Sequence, residues 1–218
     1  MIEVKRPFPK DEWFSVWNWI EQAQMWDALA DDNVPRDVDS FCALQDAMDD
    51  VRQCWGVWRD GILGGVVSME PDPLRPWIVH CHCLFRKEFW GRKTTIPALQ
   101  LVASEIFDAG VKRIEMRVFE SNRAIRALIP LLGGQEEGAL RHQTQQSGKP
   151  IDMVVFGMSA DEFAATIVKK SDILYLSQND TDNKRCSHTA LDSAGTWNPV
   201  KGVYTCCGRP VETVKKRG

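Results

Sequence analysis

Four side chains capable of acid–base or metal chemistry alternate within one apolar segment, at His80, Cys81, His82 and Cys83. If the segment is a strand, the two histidines lie on one face and the two cysteines on the other. Histidine is the side chain used most often as a general base, and Glu70 and Asp72 add two carboxylates shortly before it in the chain. The set could bind a metal ion. Alternatively, the cysteines could pack beneath a helix while at least one histidine faces a substrate groove.

A second group of potential ligands lies near the C-terminus and comprises Cys186, His188, Cys206 and Cys207. Three cysteines and a histidine are the ligand set of a structural zinc site, although the two adjacent cysteines need not both bind. A segment of about 30 residues buries too little apolar surface to fold without such a staple. The spacing, with Gly195 and Trp197 between, resembles a CHORD-type zinc hairpin and implies a structural zinc ion. A disulfide, or a metal-free tail docked on a partner, is the alternative.

A third group could bind phosphate where a helix begins. Basic and hydroxyl side chains follow Gly91 in the order Arg92, Lys93, Thr94 and Thr95. The first amides of a helix attract anions, and the arginine and lysine could pair with the same charges. The alternative is that Arg92 and Lys93 are solvated surface charges. Farther along, Asn122 suits either a ligand contact or the N-cap of the next helix.

The elements that must position these groups follow from hydrophobic periodicity and turn residues. Strands are predicted at Ile2–Lys5, Cys54–Arg59, Ile62–Met69, Trp77–Phe85, Val111–Phe119, Ala139–Gln145 and Ile151–Met158. Helices are predicted at Lys10–Leu29, Asp39–Val51, Lys93–Ala109, Asn122–Leu132 and Asp161–Lys169. The continuously apolar run Trp77–Phe85 is typical of a strand buried on both faces. The order predicts an α+β fold, a mixed β-sheet flanked by helices, with a small zinc-hairpin-like module at the C-terminus.

These segments resemble the GNAT N-acetyltransferase superfamily over about residues 1–160. The resemblance rests on Ile78–Phe85 leading into Gly91 and a long helix, on Val111–Phe119 followed by Asn122, and on Gly133 closing the next helix. It implies a fourth strand with a free edge that binds acetyl-CoA, whose pyrophosphate lies at the start of the following helix. The cofactor-binding residues that the resemblance implies are Leu84, Phe85, Gly91, Arg92, Lys93, Thr94, Thr95 and Asn122.

The chain departs from the family pattern at two places. The family loop reads Arg/Gln-x-x-Gly-x-Gly/Ala, whereas Trp90, Lys93 and Thr95 occupy its defining positions here. The tyrosine that often protonates the departing thiolate is replaced by Ile129. By resemblance, the base that acts on the amine is sought among the histidines and carboxylates of the central strands. We select His82, Cys83 and Glu70 as the catalytic candidates.

The resemblance implies an acetyl-CoA-dependent N-acyltransferase that acts on an amine which the sequence does not identify. The absent tyrosine and loop glycines indicate an alternative, a catalytically inactive GNAT scaffold with a structural or partner-binding role. A degenerate scaffold of this kind looks like some bacteriophage-encoded virion proteins. The nine tryptophans suit protein-binding surfaces as well as a core.

Composition limits the remaining classes. The 218 residues carry a net charge of −3, which argues against general nucleic-acid binding. No apolar run approaches the ~20 residues of a membrane span, and the first residues lack an apolar signal core. We therefore expect a cytoplasmic protein, or a virion component if it is phage-encoded, with a small-molecule or protein amine as acceptor and protein assembly partners. Three parts are expected: a GNAT-like domain at 1–160, a helix and linker at 161–185, and a Cys/His module at 186–218.

Overall fold

A computed structural model describes residues 1–26 and 30–166, together with the backbone of three short strands after residue 172. One sheet contains eight strands in the order β6-β7-β5-β4-β3-β2-β1-β8. Their bounds are β1 Ile2–Arg6, β2 Gln53–Arg59, β3 Ile62–Pro71, β4 Ile78–Phe85, β5 Arg113–Phe119, β6 Gln135–Gln146, β7 Lys149–Ser159 and β8 Ile173–Ser177. The β4–β5 and β1–β8 pairs are parallel and the other neighbours are antiparallel. The sheet is therefore mixed, as predicted.

Five α-helices accompany the sheet in the described part of the chain: α1 Glu12–Gln22, α2 Val38–Met48, α3 Thr95–Asp108, α4 Arg123–Leu128 and α5 Ala160–Ala164. Short 3₁₀ turns precede α3 at Lys87–Phe89 and follow α4 at Ile129–Leu132. The α2 helix begins where the Asp37 carboxylate accepts a hydrogen bond from the Ser40 amide at 2.8 Å. The α5 helix begins at a capping box formed by Ser159 and Glu162.

The sheet separates two apolar clusters. One face packs against α3 and α4, with Trp55, Val67 and Ile114 among its buried residues. The opposite face packs against α1 and α2 through a smaller cluster that includes Trp13 and Phe41. Because a strand alternates its side chains, β2, β3 and β4 contribute to both clusters. The layered α+β fold is the predicted one.

Two hairpins have tight turns of the kind that the sequence indicates. Asp60 and Gly61 both have positive φ, at 54° and 79°, and join β2 to β3. Ser147 and Gly148, with φ of 51° and 69°, join β6 to β7. Positive φ at both central residues matches the twist of the flanking strands. The β6–β7 hairpin is longer than predicted, since β6 begins at Gln135 rather than at Ala139.

Three expectations need correction. The prediction that β4 is buried on both faces is wrong, because only its ends are buried and its middle borders a cavity. The helix expected over Lys10–Leu29 ends at Gln22, where the chain turns, and residues 27–29 lie outside the described part. The helix expected over Asn122–Leu132 is divided into α4 and a 3₁₀ turn that contains Pro130, whose ring cannot continue an α-helix.

The C-terminal prediction falls largely outside the described residues. Cys186, His188, Cys206 and Cys207 are among the residues that the structure does not describe, so their zinc site stays a prediction. The described backbone there includes an antiparallel pair of Trp197–Asn198 with Val203–Tyr204. Among the described helices, none has the length and apolar character needed to cross a bilayer.

Candidate active site at the strand splay

The central strands of the sheet separate halfway along their length. β4 pairs with β5 only where Ile78–His80 lies beside Arg113–Glu115. Beyond this point β4 stays paired with β3 as far as Phe85, and β5 stays paired with β7 as far as Phe119. Among the described strands, the edge of β4 that faces β5 therefore has no partner after His80, and its backbone groups are available to a ligand.

A cavity of about 500 Å³ occupies this splay and reaches both faces of the sheet. Side chains of both diverging strands line it, including Cys81, His82, Cys83 and Leu84 of β4. On one face it is bounded by α3, through Leu99 and Ala103. On the other face it is bounded by α1 and α2, through Trp13 and Phe41. Both sides of the sheet can therefore contribute to one site.

His82 is the histidine that lines the cavity. Its Nε2 lies 3.9 Å from the Glu70 carboxylate, and its side chain is 60% exposed, within the open cleft. Burial among the cleft atoms, followed by the charge of Arg52, lowers the pKa of this imidazole. The exposed part of the side chain stays in contact with solvent, so burial lowers this pKa less than it would in a closed core. His82 is therefore neutral at neutral pH and can accept a proton.

His80 has a different environment, although it shares a face with His82. Its Nε2 lies 3.5 Å from Asp72 and its Nδ1 lies 3.6 Å from Glu115. The Arg75 guanidinium donates to Asp72 at 2.7 Å, which holds the pKa of that carboxyl well below its usual range. The two carboxylates fix His80 between the β3–β4 connection and β5. Of the two histidines left open by the sequence, His82 faces the groove.

The two cysteines lie on the opposite face of β4 and pack against the larger apolar cluster. Burial raises the pKa of the Cys83 thiol to about 12 and places that of Cys81 well above its ordinary value. Cys83, selected above as a catalytic candidate, therefore stays protonated at neutral pH and offers no thiolate nucleophile. Within the described residues, no group of three His, Cys, Asp or Glu side chains is placed to hold a metal ion.

The loop before α3 has many of its hydrogen bonds satisfied internally. The carbonyl oxygen of Gly91 accepts from the amides of Thr94 and Thr95 at 3.3 and 3.0 Å. The Thr95 hydroxyl donates to the Phe89 carbonyl at 2.8 Å, and both threonines are buried. Thr94 occupies the N-cap position of α3, but its side chain makes no capping bond. The two threonines thus maintain the shape of the loop.

Other residues of this loop reach solvent. Gly91 has a φ of +116° and open space around it, and Arg92 and Lys93 beside it are exposed. Trp90, at the first defining position of the family loop, donates its indole N–H to the Phe85 carbonyl at 2.8 Å. Two exposed cations therefore remain at the entrance to α3, while the end of β4 is tied to the loop.

Asn122 lies where β5 leads into α4. Its side chain accepts from the Ile125 amide at 3.3 Å, and the residue also lines the cavity. It is therefore the N-cap of α4, as one of the two sequence interpretations has it. Leu84 lines the cavity, whereas Phe85 is buried at the end of β4.

The β6–β7 hairpin contacts the segment that includes Asp31, a residue of the cavity wall. At its tip, the amides of Ser147 and Gly148 donate to Asp32 at 2.7 and 2.8 Å. The Thr144 hydroxyl donates to Asp31 at 2.6 Å, and the Asp32 amide donates to the Gln145 carbonyl at 2.9 Å. We call this contact, residues 31–32 with 144–148, the roof. Sequence reasoning missed it, because its partners lie more than a hundred residues apart.

Sequence reasoning also missed polar residues on the same side of the cavity. Arg52, Ser68 and Arg117 all line it. Ser68 lies directly opposite His82 in the β3–β4 register, which places it on the same face. Pairing the two predicted strands before and after the 71–76 loop could have placed Ser68 near His82. Arg52 precedes β2, where sequence alone indicates only a connection.

No model of a known protein family matches the sequence. The fold is nevertheless similar to solved acetyltransferases. RimJ from Mycobacterium smegmatis, in complex with CoA-disulfide, has a TM-score of 0.62 at 17% identity, over 73% of this chain and 82% of that chain. A ribosomal-protein-alanine N-acetyltransferase from Brucella melitensis has a TM-score of 0.60 at 16% identity, over 73% and 99%. A GNAT-family acetyltransferase from Streptococcus pneumoniae has a TM-score of 0.57 at 14% identity, over 73% and 99%.

This chain has the GNAT fold. The fold predicted by resemblance is confirmed, and the β4–β5 splay of this chain is where the resemblance places acetyl-CoA. At these identities the likeness shows the fold alone, so activity must be argued from the residues of the site.

Proposed function

We propose that the protein is an acetyl-CoA-dependent N-acyltransferase that acts on an amine in the cavity beside His82. The observation that carries this proposal is the splay of β4 from β5 with a cavity of about 500 Å³ between them. An unpaired strand edge can bind an extended amide-containing chain such as pantetheine by main-chain hydrogen bonds. Apolar residues of α3 and β5 provide the remaining wall.

The residues at the start of α3 fit the rest of acetyl-CoA in part. Arg92 and Lys93 are exposed and could pair with its phosphates, as could the positive end of the helix. The amides of Thr94 and Thr95, however, already donate to Gly91. We therefore expect pantetheine to bind along β4 and the phosphates to bind mainly through side-chain charge. The cofactor supplies the acetyl group as a thioester.

His82 is proposed as the group that accepts the amine proton. The amine nitrogen forms a bond to the thioester carbonyl carbon, the carbon–sulfur bond breaks, and the proton lost by nitrogen passes to the neutral imidazole. Glu70, 3.9 Å from Nε2, then faces an imidazolium and stabilises its charge. Thiols titrate near pH 8.5, so a thiolate can depart without the tyrosine that Ile129 replaces.

A second function is favoured by the internal hydrogen bonds of Gly91. If those bonds exclude the phosphates, the protein would be a catalytically silent scaffold that binds partners, of which a bacteriophage virion component is one form. Such a protein would keep the cavity as a binding site without acyl transfer.

Calorimetric titration with acetyl-CoA tests the proposal, with S-acetylpantetheine as a matched probe that lacks the adenosine phosphates. Micromolar binding of acetyl-CoA, with measurable but weaker binding of S-acetylpantetheine, is the expected result. Absence of acetyl-CoA binding at millimolar concentration would overturn the enzyme proposal in favour of the scaffold.

A further inference from the structure

One cation in the cavity has no carboxylate partner within the described part of the chain. Arg52 follows α2, where its amide donates to the Met48 carbonyl at 3.1 Å, and it immediately precedes β2. Its guanidinium donates to the side-chain oxygen of Gln45 and lies over the Trp13 ring, 5.4 Å from the centroid. Its Nε is buried without a hydrogen-bond partner. The charge is thus held in place by neutral groups.

The second arginine of the cavity wall is paired with a carboxylate, and Asp31 keeps its negative charge while its oxygens accept hydrogen bonds from neutral donors. Arg117 donates twice to Glu115 Oε1, at 3.1 Å each. Asp31 accepts from the Thr144 hydroxyl at 2.6 Å and from the Asn33 amide at 3.0 Å. His82 is neutral, as argued above. Arg52 is therefore the source of uncompensated positive charge among the described residues of the cavity wall.

A partly buried guanidinium without an anion is costly, because it has lost water without gaining a counter-charge. A carboxylate satisfies it well, since the planar fork of arginine matches the two carboxylate oxygens. The wall around Arg52 is apolar and is made largely of Trp13, Trp26, Val34 and Phe41. A ligand that fits this half of the cavity combines an anionic group with an apolar body.

We propose that the acceptor is a small amine that also carries a carboxylate and an apolar side chain, with the carboxylate bound by Arg52 and the amine directed to His82. This inference rests on the proposed function for the role of the amine, but the binding of the carboxylate does not. The cavity, at about 500 Å³, has the size of a small-molecule site, which favours an amino-acid-like molecule over a folded protein.

Carboxylate binding would also affect the base. Arg52 is one of the charges that lower the pKa of His82. An anion on Arg52 neutralises that charge, so the imidazole becomes a stronger base when the acceptor is bound. The bound acceptor thereby increases the basicity of the His82 imidazole that receives its amine proton.

Paired ligands that differ only in the carboxylate test the inference without altering the protein. We would titrate L-phenylalanine against phenethylamine, and L-leucine against isoamylamine, by calorimetry on the full-length chain without acetyl-CoA. The amino acids are expected to bind at least about tenfold more tightly than the decarboxylated amines, as is typical of a hydrogen-bonded charge pair. Equal binding, tighter binding of the amines, or no amino-acid binding at millimolar concentration would overturn the inference.

Variants then assign the effect to one side chain. Arg52→Gln should remove the preference for the carboxylate, and Arg52→Lys should retain part of it. Arg86→Gln is the matched control, because Arg86 also lies over a tryptophan of α1, at 5.8 Å from the Trp19 ring, but is outside the cavity. If Arg52→Gln stays folded and keeps the full preference, the assignment is wrong.

The outcomes separate this inference from the proposed function. A preference for the carboxylate without acetyl-CoA binding would support the Arg52 site and overturn the proposed enzymatic activity. Acetyl transfer to phenethylamine that is as efficient as transfer to L-phenylalanine would support the proposed enzymatic activity and overturn the Arg52 site.

Discussion

The cavity wall and the entry loop of α3 differ in how many of their polar groups already have partners within the protein. On the side of α1 and α2, where we propose that the acceptor binds and which we call the acceptor side, Arg52 and His82 line the cavity. The guanidinium has no carboxylate partner among the described residues, and the neutral imidazole can still accept a proton. In the entry loop of α3, Gly91–Thr95, the carbonyl oxygen of Gly91 accepts hydrogen bonds from the amides of Thr94 and Thr95. The acceptor side thus resembles a prepared ligand site, whereas the loop side resembles a self-contained turn with two exposed cations.

This difference indicates where specificity and affinity arise. A site whose polar groups have no internal partner gains free energy when a ligand supplies one. A loop whose groups are already paired contributes only the charges that remain exposed, and exposed charges are screened by salt. We therefore expect recognition of the acceptor to be specific and recognition of the phosphates to be weak and dependent on ionic strength.

The largest effect is expected at His82. His82→Gln should reduce kcat for acetyl transfer roughly 100-fold or more, because general base catalysis contributes on that order. The affinity for acetyl-CoA should change little, since the imidazole lies on the acceptor side. Steady-state kinetics and calorimetry on the same preparation would measure both. His142→Gln, an exposed histidine on the β6–β7 hairpin, is the control. Retained activity in His82→Gln would show that the imidazole does not accept the amine proton.

A smaller effect is expected at the loop. The double variant Arg92→Ala/Lys93→Ala should weaken acetyl-CoA binding roughly fivefold at low salt, since exposed charge pairs contribute up to about 1 kcal/mol. Binding of S-acetylpantetheine should be unaffected. The matched control, Arg141→Ala/Lys149→Ala, removes the same charge from the exposed hairpin. A loss of more than a hundredfold, insensitive to salt, would show that the loop is a prepared phosphate site after all.

The roof provides a third test of the acceptor side. Asp32→Ala removes the acceptor of the Ser147 and Gly148 amides. It should destabilise the hairpin by about 1 kcal/mol, which is the usual net contribution of a hydrogen bond to stability. Hydrogen exchange at these two amides should accelerate while the core strands exchange as before. Asp108→Ala, an exposed aspartate at the end of α3, is the control. Unchanged exchange would mean that the roof is held by other contacts.

The smallest effect concerns pH and stability. Burial, followed by the charges of Arg52 and His80, lowers the pKa of His82 below the value near 6.5 at which the unfolded chain titrates. Between the folded and unfolded pKa values the unfolded state binds more protons than the folded state, so stability should fall as pH decreases through this window. Chemical denaturation of wild type and His82→Gln from pH 7 to pH 4 would show a steeper decline in wild type. Parallel curves would place His82 in an ordinary aqueous environment.

The layered fold was predictable because its signals are local. The Asp60-Gly61 turn specifies one hairpin, and the helical periodicity before Gly110 specifies α3. The burial of β4 was not predictable, because a continuous apolar run does not distinguish a strand covered on both faces from one that borders a cavity. His82 and Asn122 could be selected from residue type and strand position.

Arg52 could not be selected in this way. An arginine between a helix and a strand is usually a solvated charge, and only the packing of Trp13 and Gln45 around it creates the site. The roof was equally hidden, since Asp32 and Ser147 each look like ordinary turn residues. Features that depend on long-range contacts between short polar segments leave no periodic signal in the chain.

The short parallel contact between β4 and β5 also has a consequence for how the chain folds. Only three residue pairs join the two antiparallel halves of the sheet, β1–β4 and β5–β7, and α3 is the element that links them. Each half contains one hairpin whose strands are joined by a tight turn, whereas the seam has three residue pairs and no turn that brings them together. We expect pulse-labelling hydrogen exchange to show the two hairpins protected before the seam. The cavity between β4 and β5 would then be among the last parts of the domain to consolidate.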